Sequence, residues 1–153
     1  MVNVSARTVY AIQAMLTLAA SPGDAPTTLD TIAAAQDLPR KFLEAILADL
    51  RRGGLVTSVR GARGGYILAH GAEDITIGDV MRAVDGPLWE VHGLRPQDTS
   101  YSGLAQHLPV VWVAIRASVR DVVDRTSLAE VLSGDLPAHV RALAEQPDAW
   151  HNR

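Results

Sequence analysis

The chain has 153 residues, 48% hydrophobic and 20% charged, with a formal net charge of −3 and no cysteine. That length holds one good core, or one small domain plus an extension. The missing cysteine excludes disulfides, a thiolate nucleophile and a cysteine-ligated metal. No apolar run reaches the roughly 18 residues of a membrane span, so no membrane partner is expected.

The opening residues, Met1 to Arg7, lack a charged region followed by an apolar one. No signal peptide is expected, and the expected compartment is the cytoplasm. Ser5 can cap a helix over about residues 6–20, with Ala11, Ile12, Met15, Leu16 and Ala19 on one stripe. Ser21 to Pro26 is rich in turn formers. Thr27 and Thr28 then start a second helix, with Leu29, Ile32 and Ala33 facing inward and Asp37-Leu38 breaking it. Pro39 suits the first turn of a third helix, where its missing N–H is not needed. Phe42, Leu43, Ile46, Leu47 and Leu50 form the inner face of that helix, and Gly53-Gly54 stops it.

Leu55–Val59 and Gly65–Leu68 read as two short strands joined by an arginine- and glycine-rich turn. Thr76 with Asp79 forms a capping box for a fourth helix running to about Asp85. Residues 86–107 are irregular, with Leu88, Trp89, Val91, Leu94 and Tyr101 scattered among polar residues. A long helix is expected over about 108–124. Its Leu108, Trp112, Ile115, Val119 and Val122 are spaced 4, 3, 4 and 3, a short coiled-coil seam that two copies of the helix could bury between them. The intramolecular alternative packs this seam on its own domain. Ser127 with Glu130 caps a short helix, and the weakly patterned tail 135–153 is expected to be partly disordered.

Charge is unevenly spread. Residues 39–70 carry Arg40, Lys41, Arg51, Arg52, Arg60 and Arg63 against Glu44 and Asp49, a net +4 that leaves −7 for the rest. A basic patch on an acidic body can hold a duplex by one face. A recognition helix enters the major groove by its N-terminal residues, which favours Pro39, Arg40, Lys41 and Glu44. Arginine can donate twice to guanine, and glutamate can accept from cytosine. Arg60 and Arg63, on the glycine turn, suit the minor groove or its flanking phosphates. Arg51 and Arg52, at the far end of the helix, face phosphate or solvent. Exposed charges alone describe any solvated helix. Helix, turn, helix, Gly-Gly and hairpin in this order are what point to nucleic acid.

No catalytic signature is present: no phosphate loop after a strand, no Gly-x-Ser-x-Gly and no His-Glu-x-x-His. The chain reads as a non-enzyme. His70, His92, His107, His139 and His151 show no metal spacing and read as surface residues, with no metal or cofactor expected.

The run LPRKFLEAILADLRRGGLVTSVRGARGGYILA, followed by ITIGDVMRAVDGPL, resembles the Rrf2 family of bacterial transcription regulators (IscR, NsrR and CymR types). RTVYAIQAMLTLA, LPVVW and TSLAEVL also fit, so the resemblance covers about residues 3–133, most specifically 38–86. It implies a dimeric winged helix-turn-helix protein whose long helix pairs the subunits. It also implies DNA-reading positions at Pro39, Lys41 and Glu44, with Arg60 on the wing. Many members hold an iron–sulfur cluster through three cysteines between the fourth helix and the long helix. Here that segment, Gly86–His107, has none. The first-helix face that supplies a ligand in some members carries Thr8 and Ile12. The expectation is therefore a regulator without a cluster.

The expected fold is mainly α with a small β-hairpin wing. Residues 1–85 form the winged helix-turn-helix, 86–107 a connecting or sensor-position segment, and 108–134 the dimerisation helix and a short helix. The expected function is a homodimeric, sequence-specific repressor of a pseudo-palindromic operator in double-stranded DNA. The rival is a winged-helix protein-interaction module with weak DNA binding or none. Leu88, Trp89, His92 and Tyr101 are candidates for contact with a small-molecule or protein effector, the plainer reading being that they cover the dimer core.

Overall fold

The computed structural model describes residues 3–21, 23 and 25–151. Pro22 and Asp24, in the Ser21–Pro26 turn, lie outside the described residues. In chain order the elements are α1 (Ala6–Ala20), α2 (Leu29–Gln36), α3 (Arg40–Arg52), β1 (Val56–Val59), β2 (Gly65–Leu68), α4 (Ile77–Asp85), α5 (Leu108–Val123), α6 (Leu128–Ser133) and α7 (Ala138–Ala144). The mainly helical architecture with one antiparallel hairpin is as expected. Within the tail, residues 138–144 form α7. Its His139 Nε2 lies 2.8 Å from the Asp121 carbonyl, which ties α7 to the last turns of α5.

Caps fix the helix starts. Ser5 Oγ accepts from the Thr8 N–H at 3.0 Å, and Thr28 Oγ1 from the Thr31 N–H at 3.1 Å. Asp37, at φ 53°, ends α2 in the left-handed conformation that aspartate tolerates. At α4 the capping box is complete: Asp79 Oδ2 accepts from the Thr76 N–H and Thr76 Oγ1 from the Asp79 N–H.

The core joins α1, α2, α3 and α4. Ala11, Ala14, Met15, Ile32, Leu47, Leu50 and Val80 are wholly excluded from water. The two alanines let the neighbouring helices approach α1 closely. Phe42 departs from its expected inward position. Leu43, Ile46, Leu47 and Leu50 fill the interior side of α3, and Phe42, on its flank, is 63% exposed.

The long helix is jointed to this head at one end. The Ile77 N–H donates to the Thr126 carbonyl and the Leu128 N–H to the Ile75 carbonyl, each at 2.9 Å. Arg82 of α4 pairs with Asp124 at 2.8 Å and with Asp79 at 3.1 Å, and Arg120 of α5 also reaches Asp124. Gly78 lies beneath the Asp124 carboxylate, where a Cβ would collide with it. Burial works against the Arg82 charge, but Asp124 and Asp79 outweigh it and push its pKa up.

Burial also works against the Asp79 charge. The Thr76 N–H and hydroxyl, then Arg82, outweigh it and hold this carboxyl below its usual range. A group whose pKa is depressed on folding stabilises the fold above its ordinary pKa, and that contribution fades as pH falls through the folded value. Asp79→Asn is therefore expected to lower the urea midpoint at pH 7. The gap from wild type should narrow below about pH 4, the ordinary carboxylate pKa. A gap independent of pH would show that the Asp79 charge contributes nothing.

Candidate nucleic-acid interface

α2 and α3 form the helix-turn-helix, and β1 and β2 the wing. Val56 pairs with Leu68 and Val59 with Gly65 across the hairpin, and Gly61, at φ +108°, makes the turn. The wing is also fastened on its other edge. The Thr27 N–H donates to the Tyr66 carbonyl at 2.9 Å and the Tyr66 N–H to the Thr27 carbonyl at 2.8 Å. Gly65 permits this seam, because a Cβ there would meet the Thr27 backbone. A third tie comes from the recognition helix: Arg51 Nη1 donates to Ser58 Oγ on β1 at 3.2 Å. Helix and wing are thereby held in one relative pose.

The expected reading positions fall into two groups. Pro39 is the N-terminal flanking residue of α3, and Lys41 and Glu44 stand exposed on its outer side. Arg60 and Arg63 are exposed on the wing turn. Arg40 is also exposed but forms an ion pair with Asp30 of α2. Arg52, with Arg7 of α1, pairs with Asp49.

The pattern extends across the molecule. Arg82, Arg95, Arg120, Arg125 and Arg141 each meet an aspartate, and Arg116 donates to Gln97. Among the lysines and arginines of the described residues, only Lys41, Arg60 and Arg63 have neither an ion pair nor a side-chain hydrogen bond. All three lie on α3 or the wing.

The other expected positions are distributed as follows. Leu88, Trp89 and His92, with Asn3 and Trp112, border a cleft of about 450 Å³. His92 is left-handed at φ 51°, and the buried Trp89 Nε1 has no acceptor among the described residues. Tyr101 does not line the cleft but accepts from Nε1 of Trp112, which does, at 3.2 Å. The seam positions Leu108, Trp112, Ile115, Val119 and Val122 are all half-buried, and α5 packs against the single-turn helix Pro96–Asp98. Val110 and Val111 are the apolar side chains of α5 left most open, at 69% and 47% exposure.

Residues 4–134 match the model of the Rrf2 family, described as an iron-dependent transcriptional regulator. The chain belongs to the Rrf2 family. It is 45% identical to the HTH-type transcriptional regulator Rv1287 of Mycobacterium tuberculosis, over 94% of this chain and 89% of that one. It is 35% identical to the regulator CymR of Bacillus subtilis, over 86% of this chain and 90% of that one. The solved structure of B. subtilis CymR, the global cysteine regulator of that organism, superposes with a TM-score of 0.73 at 34% identity, covering 88% and 98% of the two chains. That of T. potens IscR gives 0.67 at 36% identity, covering 87% and 88%. The chain is thus a winged-helix transcription regulator and not an enzyme. No helix among the described residues is long and apolar enough to cross a membrane.

The donor set here does not fit the iron group that the family description implies. The sequence has no thiolate, and among the described residues no three His, Asp or Glu side chains converge on one point.

Sequence reasoning missed Asp30, Ser58 and Thr27, which hold Arg40, Arg51 and β2. No local signal marks them, because each partner is brought close only by the tertiary fold. Gly65→Ala tests the wing seam. It should cost about 1–3 kcal/mol in urea unfolding and speed amide exchange of Tyr66, because one side of β2 loses its partner. Unchanged exchange at Tyr66 would show that the seam does not fix the wing.

Proposed function

We propose that this regulator is a homodimeric repressor that binds a pseudo-palindromic duplex without an iron–sulfur cluster. The observation that carries the reading is the placement of the cations left without a partner. An arginine already paired with an aspartate gains little from a phosphate, since one ion pair replaces another. Lys41, Arg60 and Arg63 have no such pair to give up, and they lie on the recognition helix and on the wing, which the Arg51–Ser58 contact ties together. In this reading Pro39, Lys41 and Glu44 meet base edges in the major groove, joined by Arg40 if Asp30 releases it. Arg60 and Arg63 hold the minor groove or its flanking phosphates.

The case for a dimer rests on α5. A helix of 16 residues with none fully buried is marginal alone in water, and its apolar side chains call for a cover. A second α5, crossing near Leu108, Trp112, Ile115, Val119 and Val122 and covering Val110 and Val111, would provide it. The two heads would then read half-sites about one helical turn apart. The absence of thiolates supports DNA binding independent of a cluster. A small effector entering the cleft at Leu88, Trp89 and His92 would touch Asn3 before α1 and Trp112 on α5 together.

The test is fluorescence anisotropy of the metal-free protein with DNA from upstream of its own gene, titrated across salt with a scrambled duplex as control. Selective binding that falls steeply with salt is expected. Arg60→Ala should weaken binding on both duplexes and reduce the log–log salt slope by about 1 for each phosphate that Arg60 neutralises. An unchanged slope would remove Arg60 from the interface. Glu44→Ala should relax base preference by about 1–3 kcal/mol at one position per half-site, with a smaller change in affinity for the best site. An unaltered preference in a panel of single-base variants would deny Glu44 a reading role. Equal binding to both duplexes would favour a protein-interaction module.

A further inference from the structure

Phe42 is the one phenylalanine of the chain, and the fold leaves it 63% exposed while covering the three leucines and the isoleucine of its helix. It lies in the first turn of α3, its N–H bonded to the Pro39 carbonyl at 3.1 Å, between the exposed Lys41 and Glu44. In a docked helix-turn-helix, that turn is the one directed at base edges.

With Ala6, Arg7, Tyr10, Ala45 and Ile46 the ring lines a cleft of about 350 Å³ between α1 and α3, where the one charged neighbour, Arg7, is paired with Asp49. Ala45, three residues on, is small and exposed, so a duplex can approach this flank closely. The ring offers no donor and no acceptor. Of the groups that bases present in the major groove, only the thymine 5-methyl is apolar. A second copy of the chain fits this flank poorly. A symmetric contact would bring the unpaired Lys41, next to Phe42, of both copies together, whereas a duplex neutralises it.

We propose that Phe42 is a specificity-determining residue that reads the 5-methyl group of thymine in each half-site. The inference rests on the DNA-binding reading above and adds an apolar contact to its polar ones.

Deoxyuridine tests it, because it keeps every hydrogen-bonding group of thymidine and lacks only the methyl. The preferred duplex is first selected from a random pool with the wild-type protein. Each thymidine is then replaced by deoxyuridine, and wild type and Phe42→Ala are compared by anisotropy. Wild type should lose about fourfold at one position per half-site, the free energy of one buried methyl. Phe42→Ala should bind the two versions of that duplex equally, with its urea midpoint unchanged because the ring is outside the core. The proposal is overturned if wild type is indifferent to every replacement, or if Phe42→Ala keeps the penalty. It is also overturned if Phe42→Ala shifts the sedimentation of the free protein, which would assign the ring to a contact between copies. A pool from which no sequence is enriched removes the DNA-binding reading itself, and this inference with it.

Discussion

The packing of α1 is the constraint on which the rest depends. Ala11, Ala14 and Met15 are closed to water, and α1 touches α2, α3, α4, α6 and β2. Its first turn is tied to the end of α4, where Asp85 accepts from the hydroxyls of Ser5 and Thr8. The recognition helix and the wing therefore rest on one support. A larger residue at Ala11 or Ala14 would push the helix-turn-helix and the wing apart together, because a close-packed interior has no slack to absorb it.

Electrostatics adds a second layer. The protein is acidic overall, yet its interface reading needs a positive face. The resolution lies in pairing. Aspartates take up most arginines of the body, and the exposed pairs among them contribute little to stability. Their effect is on the field. Among the lysines and arginines of the described residues, Lys41, Arg60 and Arg63 alone have no side-chain partner, so a small number of free cations sets the character of the recognition helix and the wing.

Local signals in the sequence were enough for much of this. Caps at Ser5, Thr28, Thr76 and Ser127 mark helix starts because the cap and its partner are three residues apart. The wing is legible because its strands are adjacent and its turn is rich in glycine. What stayed hidden depends on contacts between distant segments. The spacing of Phe42 suits the inner face of α3, but the interior side is filled by Leu43, Ile46, Leu47 and Leu50, which leaves no room on that face for a further ring. Asp30 shares no local pattern with Arg40, nor Thr27 with Tyr66. α7 is short and weakly patterned, and its contact with the Asp121 carbonyl is a tertiary one. The exposed face near the N-terminus of α3 could be chosen from sequence, but which of its cations were already occupied could not.

The joint between α4 and α5 has a mechanical meaning. Asp124 is clamped by Arg82 and Arg120 and lies directly over Gly78, so the C-terminal end of α5 meets the head through a tight, charged hinge point. From there α5 runs about 24 Å at 1.5 Å per residue. A rotation of only about 5° at the joint displaces the far end by about 2 Å, roughly half the rise of one DNA base-pair step. Small changes beside Gly78 are thus geared up along the helix into displacements on the scale of the double helix. The stiffness of the Asp124 contact, with the Ile77–Thr126 and Leu128–Ile75 backbone bonds beside it, governs how far α5 swings relative to the head.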